Sequence, residues 1–149
     1  MLLGLTIFLM TSFISKSECD DCNLLSIFQL QKIKKTSPLD REDEILALGY
    51  TSKSVQKVND GTTILKYSKC KKEFGTTEMV GVVNSDYVIY YTENLNHYLK
   101  IKNYIKTLSC ERERVSNGDY DIDVYSSCSD SHMYGFTINE FGYSISIIE

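Results

Sequence analysis

The chain has 149 residues, five of them cysteines, and a formal net charge of −4. This length is enough for one domain with its own core. The single proline and the lack of a Pro-, Gly- or Ser-rich linker indicate no boundary between independent domains. The acidic balance argues against binding along a nucleic-acid backbone, which requires a concentration of Lys and Arg.

The first predicted element is an export signal. Residues 2–14 carry no charge and are mostly apolar, a run too short to cross a bilayer as a helix but suited to the apolar core of a signal peptide. Ser15 and Ser17 are small residues of the kind expected before a cleavage site, although no Lys or Arg precedes the run. We therefore predict a signal peptide at 1–17 and one exported domain at 18–149, in the periplasm or at the cell surface. A buried N-terminal helix is the alternative.

Cys19 introduces a second possibility, because bacterial lipoproteins are cut just before a cysteine that is then acylated. The preceding residues, KSE at 16–18, match poorly the small and apolar residues usual there. The following CDD resembles the acidic export tag of surface lipoproteins in Bacteroidetes-type bacteria. A lipidated Cys19 would hold the protein to a membrane.

Two stretches 58 positions apart, NDGTTILKYSKC at 59–70 and NGDYDIDVYSSC at 117–128, are similar to each other. Weaker similarities flank them in the same order, at offsets of 60, 54 and 56 positions: 45–50 with 105–110, 79–82 with 133–136, and 87–91 with 143–147. Loops of different length in two copies produce such changes in offset. The chain is therefore predicted to hold two tandem repeats, 37–92 and 94–149.

Each repeat is predicted to begin with a helix. In the first repeat Ser37 is a good N-cap, Pro38 suits the first helical position, and Gly49 ends the helix. In the second, residues 94–108 place apolar side chains on one stripe at helical spacing. A further helix is predicted at 24–35, before the first repeat.

Four antiparallel strands are predicted to follow each helix. Turn residues at 59–61 and 116–119 predict hairpins between the first two strands. The third and fourth strands are predicted at 78–83 and 87–92, then at 132–138 and 142–148. Period-two alternation predicts which side chains face the helices: Val80, Val82, Tyr87, Ile89, Tyr91, Tyr134, Phe136, Tyr143, Ile145 and Ile147. The predicted fold is α+β, two tandem α-β-β-β-β repeats that form an antiparallel sheet with the helices packed on one face.

This arrangement resembles the tandem-repeat architecture of the β-lactamase inhibitor protein family. The resemblance covers residues 37–149 as topology. It implies that the two sheets join into one long curved sheet whose open face grips an enzyme. The segments YLKIKNYIKTL and YSISI are also similar to uncharacterised small exported lipoproteins of Bacteroidetes-type bacteria.

The cysteines predict two disulfides. Cys110 begins the first strand of its repeat and Cys128 ends the second, so the two lie opposite each other in a hairpin and are predicted to be bonded. Cys70 then has no partner in its own repeat, and Cys22 is predicted to bond it. Cys19 is left for acylation. Two alternatives stay open: Cys19 competes with Cys22 for the same partner, or it pairs between chains.

Few residues suggest catalysis. Cys128, Asp130 and His132 have the side chains of a catalytic triad, but such closeness in sequence rarely produces triad geometry, and Cys128 is assigned to a disulfide. The other histidine, His97, lies off the apolar stripe of its helix. A zinc site at CDDC would need a second close pair of ligands. We therefore predict a non-enzyme without a cofactor or metal.

The segment NGDYDIDVY at 117–125 alternates three carboxylates, Asp119, Asp121 and Asp123, which should project from one face of a strand. It lacks the Gly and Glu that an EF-hand needs at fixed positions. Three interpretations stand: an acidic solvent face that deters edge pairing, an acidic recognition surface for a basic partner, and a metal site.

Together these features predict an exported, non-enzymatic protein-binding module, most concretely an inhibitor or immunity protein that blocks a secreted toxin or hydrolase. An envelope structural or assembly lipoprotein is the alternative, and a small hydrolase is less favoured. The expected partner is another protein, since tyrosine suits protein interfaces, and no nucleic acid is expected. The residues predicted to contact it are Asp119, Tyr120, Asp121, Asp123, His132 and Tyr134.

Overall fold

The computed structural model describes residues 24–58, 61–72, 75–116, 118, 120–140 and 142–148. The predicted signal peptide, Cys19, Cys22 and the side chain of Cys70 lie outside this description. Lipidation of Cys19 and the Cys22–Cys70 disulfide therefore stay predictions. Among the helices described, none has the length and apolar character needed to cross a membrane.

Three helices and eight strands occur in the described residues: α1 (Ile27–Lys35), α2 (Arg41–Ala47), β1 (Ser52–Lys57), β2 (Thr63–Lys72), β3 (Gly75–Val83), β4 (Tyr87–Thr92), α3 (Leu95–Lys106), β5 (Glu111–Ser116), β6 (Asp121–Ser126), β7 (Met133–Asn139) and β8 (Gly142–Ile148). The strands form one antiparallel sheet in the order β1-β2-β3-β4-β8-β7-β6-β5. β4 and β8 pair at its centre, and β1 and β5 are its edges. The fold is therefore α+β with a single sheet.

α1 lies within the predicted segment 24–35 and begins with a capping box. The backbone N–H of Gln29 donates to Ser26 Oγ at 3.3 Å, and the N–H of Ser26 donates to Gln29 Oε1 at 2.8 Å. Each residue thus satisfies a backbone donor of the other at the helix start. Leu30 and Ile33 of this helix are buried.

α3 has the N-cap and the stripe that its sequence predicts. Asn94 Oδ1 accepts a hydrogen bond from the N–H of His97 at 2.9 Å. Tyr98, Ile101 and Ile105, three and four positions apart, are buried against the sheet. The helical spacing of the apolar residues in this segment therefore identified the buried side.

α2 begins later than predicted. It starts at Arg41, because the preceding residues form a tight turn in which the N–H of Asp40 donates to the carbonyl and the hydroxyl oxygens of Ser37, at 3.1 and 3.3 Å. Ser37 therefore caps this turn, and α-helical bonding starts with the N–H of Arg41, 2.9 Å from Ser37 O. Gly49 ends the helix as predicted, with a φ of 88° that glycine adopts without strain.

One hydrophobic core lies between the helices and one face of the sheet. The buried strand residues in this core are Tyr67, Val80, Val82, Val88, Tyr90, Tyr125, Tyr134, Phe136, Ile145 and Ile147. The prediction is confirmed for β3, β7 and β8, where Ile145 and Ile147 are fully buried and Tyr143 packs at the margin of the core.

The prediction for β4 is wrong. Val88, Tyr90 and Thr92 are buried on the helix side, whereas the predicted set of Tyr87, Ile89 and Tyr91 is half-buried on the other side. Both alternating sets of this strand are largely apolar, so alternation alone does not distinguish its two faces. The register with β8 does, because it places Val88 and Tyr90 opposite the buried residues Ile147 and Ile145.

Cys110 and Cys128 form the predicted disulfide, with their Cα atoms 4.1 Å apart. Cys110 directly precedes β5 and Cys128 follows β6, so the bond closes the open end of that edge hairpin. Cys128 is buried in the core and Cys110 packs at its margin. The bond therefore ties the edge of the sheet to the core.

A buried arginine connects α1, α2 and the turn between β3 and β4. Arg41 is only 5% exposed. Its guanidinium donates to four backbone carbonyl oxygens: Ile33 O, Lys34 O and Thr36 O at 3.0 Å each, and Ser85 O at 2.9 Å. Three of these carbonyls belong to the end of α1, where helical partners run out and a positive charge is favoured.

Replacing Arg41 by Lys should lower the free energy of unfolding by about 2 kcal/mol, because an ammonium cannot reproduce the planar set of donors. Urea denaturation would measure the loss. Lys57→Gln, at an exposed residue of β1, is the control and should change stability by less than about 0.5 kcal/mol. An equally small effect of Arg41→Lys would show that the guanidinium does not stabilise this junction.

Replacing both Cys110 and Cys128 by Ala should lower the free energy of unfolding by about 3 kcal/mol, since the bond closes a loop between cysteines 18 positions apart. Equilibrium urea denaturation of the oxidised wild type and of the double variant measures the difference. The double variant is preferable to a reductant, which would also break any other disulfide. Equal denaturation midpoints would contradict the expected role of this bond.

Candidate binding surface

None of the three helices covers the second face of the sheet. The strand register places on that face, here called the open sheet face, several half-buried side chains, among them nine that form its uncharged part: Ile64, Met79, Ile89, Tyr91, Ile122, Val124, Met133, Ser144 and Ser146. Lys66 of β2, opposite Gly81, is a half-buried cation on the same face. None of the nine is charged at neutral pH. The middle of the face can therefore contribute apolar contacts and hydroxyl hydrogen bonds. The carboxylates that the register places on this face, Glu111 and Glu113, lie on the edge strand β5 and are exposed.

A glycine lies near the middle of each half of this face. Gly81 pairs with Lys66 and Ile89, and Gly135 pairs with Val124 and Ser146. A Cβ at Gly135 would lie 2.4 Å from Ser146 Oγ, so a larger residue there would require that hydroxyl to move. The surface is consequently recessed at these two positions, because the surrounding side chains are larger.

The six residues predicted to contact a partner do not form one exposed surface. Asp119 lies outside the described residues. Tyr120 and Asp121 are exposed, whereas Asp123, His132 and Tyr134 are 6%, 6% and 0% exposed. The prediction is corrected for the last three, whose side chains are enclosed by the protein itself.

Asp123 is the centre of an ionic cluster. Its Oδ2 accepts a hydrogen bond from Lys102 Nζ at 2.5 Å, and its Oδ1 accepts from Arg112 Nη2 and Arg114 Nε at 3.1 Å each. Burial acts to raise the pKa of Asp123, but the hydrogen bonds from these three cations outweigh it and hold the pKa far below its usual range.

The carboxylate side chains of β6 alternate along the strand as predicted, but they lie on the helix side of the sheet. Asp121 and Asp123 lie on the same side of β6, and that side is turned toward Lys102 of α3. The interpretation as an acidic solvent face is therefore wrong for Asp123, whose charge is neutralised internally. The described part of the chain also holds no cluster of three His, Cys, Asp or Glu residues suited to a metal ion.

His132 and Tyr134 belong to a hydrogen-bond cluster that reaches α1. Gln31 Nε2 donates to Asp130 Oδ2 at 2.9 Å and to the hydroxyl of Tyr134 at 2.7 Å, and that hydroxyl donates to the same carboxylate. His132 Nδ1 lies 2.8 Å from the backbone oxygen of Asp130. Since the sulfur of Cys128 is in a disulfide, these residues do not form a triad.

His97 is half-buried. Its Nε2 lies 2.7 Å from the backbone oxygen of Leu25, just before α1. Burial lowers the pKa of His97; the hydrogen bond with Leu25 opposes this effect, and Lys100 adds to it. The ring therefore connects α3 to the start of α1.

The sequence provided no signal for a buried glutamate. Glu78 on β3 is 1% exposed, and its Oε1 accepts a hydrogen bond from Thr92 Oγ1 at 2.6 Å while Tyr90 donates its hydroxyl to the other oxygen. A lone Glu before an apolar strand looks like an exposed strand end, and only the pairing with β4 encloses it. Burial raises the pKa of Glu78; hydrogen bonds from Thr92 and Tyr90 and the charge of Lys69 act against this effect.

Glu78→Gln should change how stability depends on pH. Because the pKa of Glu78 is raised in the folded state, the folded protein binds a proton that the unfolded protein has released, so wild-type stability falls as the pH rises above about 4.3. The Gln variant lacks this loss and should gain stability relative to wild type between pH 4 and pH 8.

Urea denaturation across that range measures the effect. Glu113→Gln, at an exposed glutamate of β5, is the matched control. Parallel profiles for Glu78→Gln and wild type would contradict the expectation.

No family model, no curated protein and no solved structure matches this chain.

Proposed function

We propose that the protein is an exported, non-enzymatic protein-binding module that contacts its partner through the open sheet face. In its most concrete form it is an inhibitor or immunity protein that blocks a secreted toxin or hydrolase. One observation carries the proposal: eight strands present one face that no described helix covers, and the middle of that face is apolar and hydroxyl-rich.

The chemistry of this face suits a protein partner. Contiguous apolar surface on a soluble protein is usually a contact site, and Met and Tyr are enriched in protein interfaces. Tyr91, Met79 and Met133 supply such side chains. A hydrogen-bonded sheet is already ordered before binding, so association loses little conformational entropy.

The buried ionisable groups support binding rather than catalysis. The carboxylates of Asp123, Glu78 and Asp130 accept hydrogen bonds from neighbouring side chains of the protein. Groups engaged in this way stabilise the fold, and none of them lies on the open sheet face.

The two halves of the sheet are proposed to be tandem repeats of one helix and four strands. Two ladders of paired residues support this: Lys53, Tyr67, Val80 and Tyr90 across β1–β4, and Arg112, Tyr125, Tyr134 and Ile147 across β5–β8. The offsets along these ladders are 59, 58, 54 and 57. The last offset, 57, differs by one from the value of 56 in the sequence comparison. With an offset of 57, the buried residues of β4 align with the buried residues of β8.

The resemblance to the β-lactamase inhibitor protein family adds to the proposal. In that family two such sheets join side by side and the open face grips an enzyme, which is the face left uncovered here. The Cys110–Cys128 disulfide supports an exported protein, because such bonds persist in oxidising compartments.

Ile89→Arg tests the proposal. Ile89 pairs with Gly81 and Ser146 at the centre of the open sheet face, where a new charge would be desolvated by a partner. Binding should weaken by at least about tenfold. Leu99→Arg, on the exposed side of α3, is the control and should leave affinity within about twofold, as expected outside the interface.

The measurement has two steps. Immobilised mature protein captures partners from secreted and envelope proteins of the source cells, and the affinity of each purified partner is then compared for wild type and both variants. Unchanged capture by Ile89→Arg, with circular dichroism showing all three proteins folded, would reject the open sheet face as the contact site.

A further inference from the structure

A charged cleft of about 250 Å³ lies on the helix side of the sheet, between α3 and the strands β5 to β7. It is here called the α3 cleft. Its lining includes Lys102, Arg114, Asp121, Asp123, Phe136 and Ile138. Because these residues lie on the side opposite the open sheet face, binding at one of the two surfaces does not block the other.

The cleft presents hydrogen-bond donors more than acceptors. Both oxygens of Asp123 are occupied by the three cations around it. Arg112 and Arg114 each use one N–H for this carboxylate and remain 52% and 61% exposed. A guanidinium carries five N–H donors, and no other hydrogen bond joins these two groups to the described residues.

The local charge is opposite to that of the whole chain. The protein has a formal net charge of −4, whereas here three cations lie beside two carboxylates of the described residues, Asp121 and Asp123. The planar fork of a guanidinium matches a carboxylate with two parallel hydrogen bonds. An incoming carboxylate would therefore find unused arginine donors, and among the described residues of the lining Asp121 is the one exposed acid.

Apolar surface lies beside these donors. Ile138 is 55% exposed at the end of β7, and the ring of Phe136 forms part of the wall. Lys102 Nζ lies 5.5 Å from the centre of that ring. The cleft therefore combines a cationic position with an adjoining apolar one, which suits an acidic residue followed by an apolar residue.

We propose that the α3 cleft is a second contact site, where an acidic segment of the partner protein binds with a carboxylate on Arg114 and a neighbouring apolar side chain on Ile138. The proposal rests on the proposed function, because it takes the occupant to be a protein. The acidic run at 117–125 suggested a basic partner, whereas the α3 cleft suits an acidic one. The reason is that Lys102, Arg112 and Arg114 neutralise Asp123 and leave the site electropositive.

The test uses three synthetic hexapeptides with alternating Glu–Leu, Gln–Leu and Lys–Leu sequences, titrated into the ¹⁵N-labelled mature protein. The Glu–Leu peptide should shift the Nε–H resonance of Arg114 and the amide of Ile138, and the other two should not. Arg114→Gln should weaken binding of the Glu–Leu peptide by about fivefold. Asp121→Asn should strengthen it by about twofold, because it removes a repulsive charge. Lys57→Gln, at the opposite edge, should leave it unchanged.

Two results would overturn the proposal. Equal affinity for the Glu–Leu and Gln–Leu peptides would show that the cleft does not distinguish a carboxylate from a neutral amide. If the wild type instead prefers the Lys–Leu peptide and Asp121→Asn loses that preference, the cleft is an acidic recognition surface for a basic partner. Ile89→Arg, which alters only the open sheet face, should bind the Glu–Leu peptide as wild type does, so this proposal and the proposed function can fail separately.

Discussion

The structure depends above all on the antiparallel pairing of β4 with β8. Every other strand pairing joins strands that are adjacent in sequence, so each half of the sheet can form from local hairpins. The β4–β8 pairing alone brings distant segments together and places Val88 and Tyr90 opposite Ile147 and Ile145. Burial on one side of this pair decides the phase of both strands, because a shift of one residue would turn every side chain to the other face.

α1 secures this junction from the helix side. It packs against both β4 and β8 and contacts α2. Polar bonds hold it at each end and in the middle: His97 to the carbonyl before it, Gln31 to Asp130 and Tyr134, and Arg41 to its last carbonyls. Every described helix is held on one side of the sheet and none covers the opposite side, which is the face that we propose for binding.

The two halves enclose charge in different ways. On β6, Asp123 is buried as an ion because three cations surround it, and the unused donors of two arginines remain at the surface. On β3, Glu78 is buried among hydroxyl groups, where burial favours the protonated acid. The ionic cluster around Asp123 borders a charged cleft that a ligand can reach. The burial of Glu78 instead makes the stability of the protein depend on pH. Similar strands thus carry different surfaces.

Local patterns in the sequence were enough for most elements and one covalent bond. The apolar stripe of α3, the positions of β3, β4, β7 and β8, and the Cys110–Cys128 disulfide depend on spacing within a helix or a hairpin. Tertiary structure decided what local spacing leaves open. The buried side of β4 follows from its pairing with β8, the late start of α2 accompanies the enclosure of Arg41, and the burial of Glu78 and Asp123 follows from neighbouring strands and α3. The physical reason is that alternation and capping are set by residues a few positions apart, whereas burial of a charge depends on groups that only the complete fold brings near.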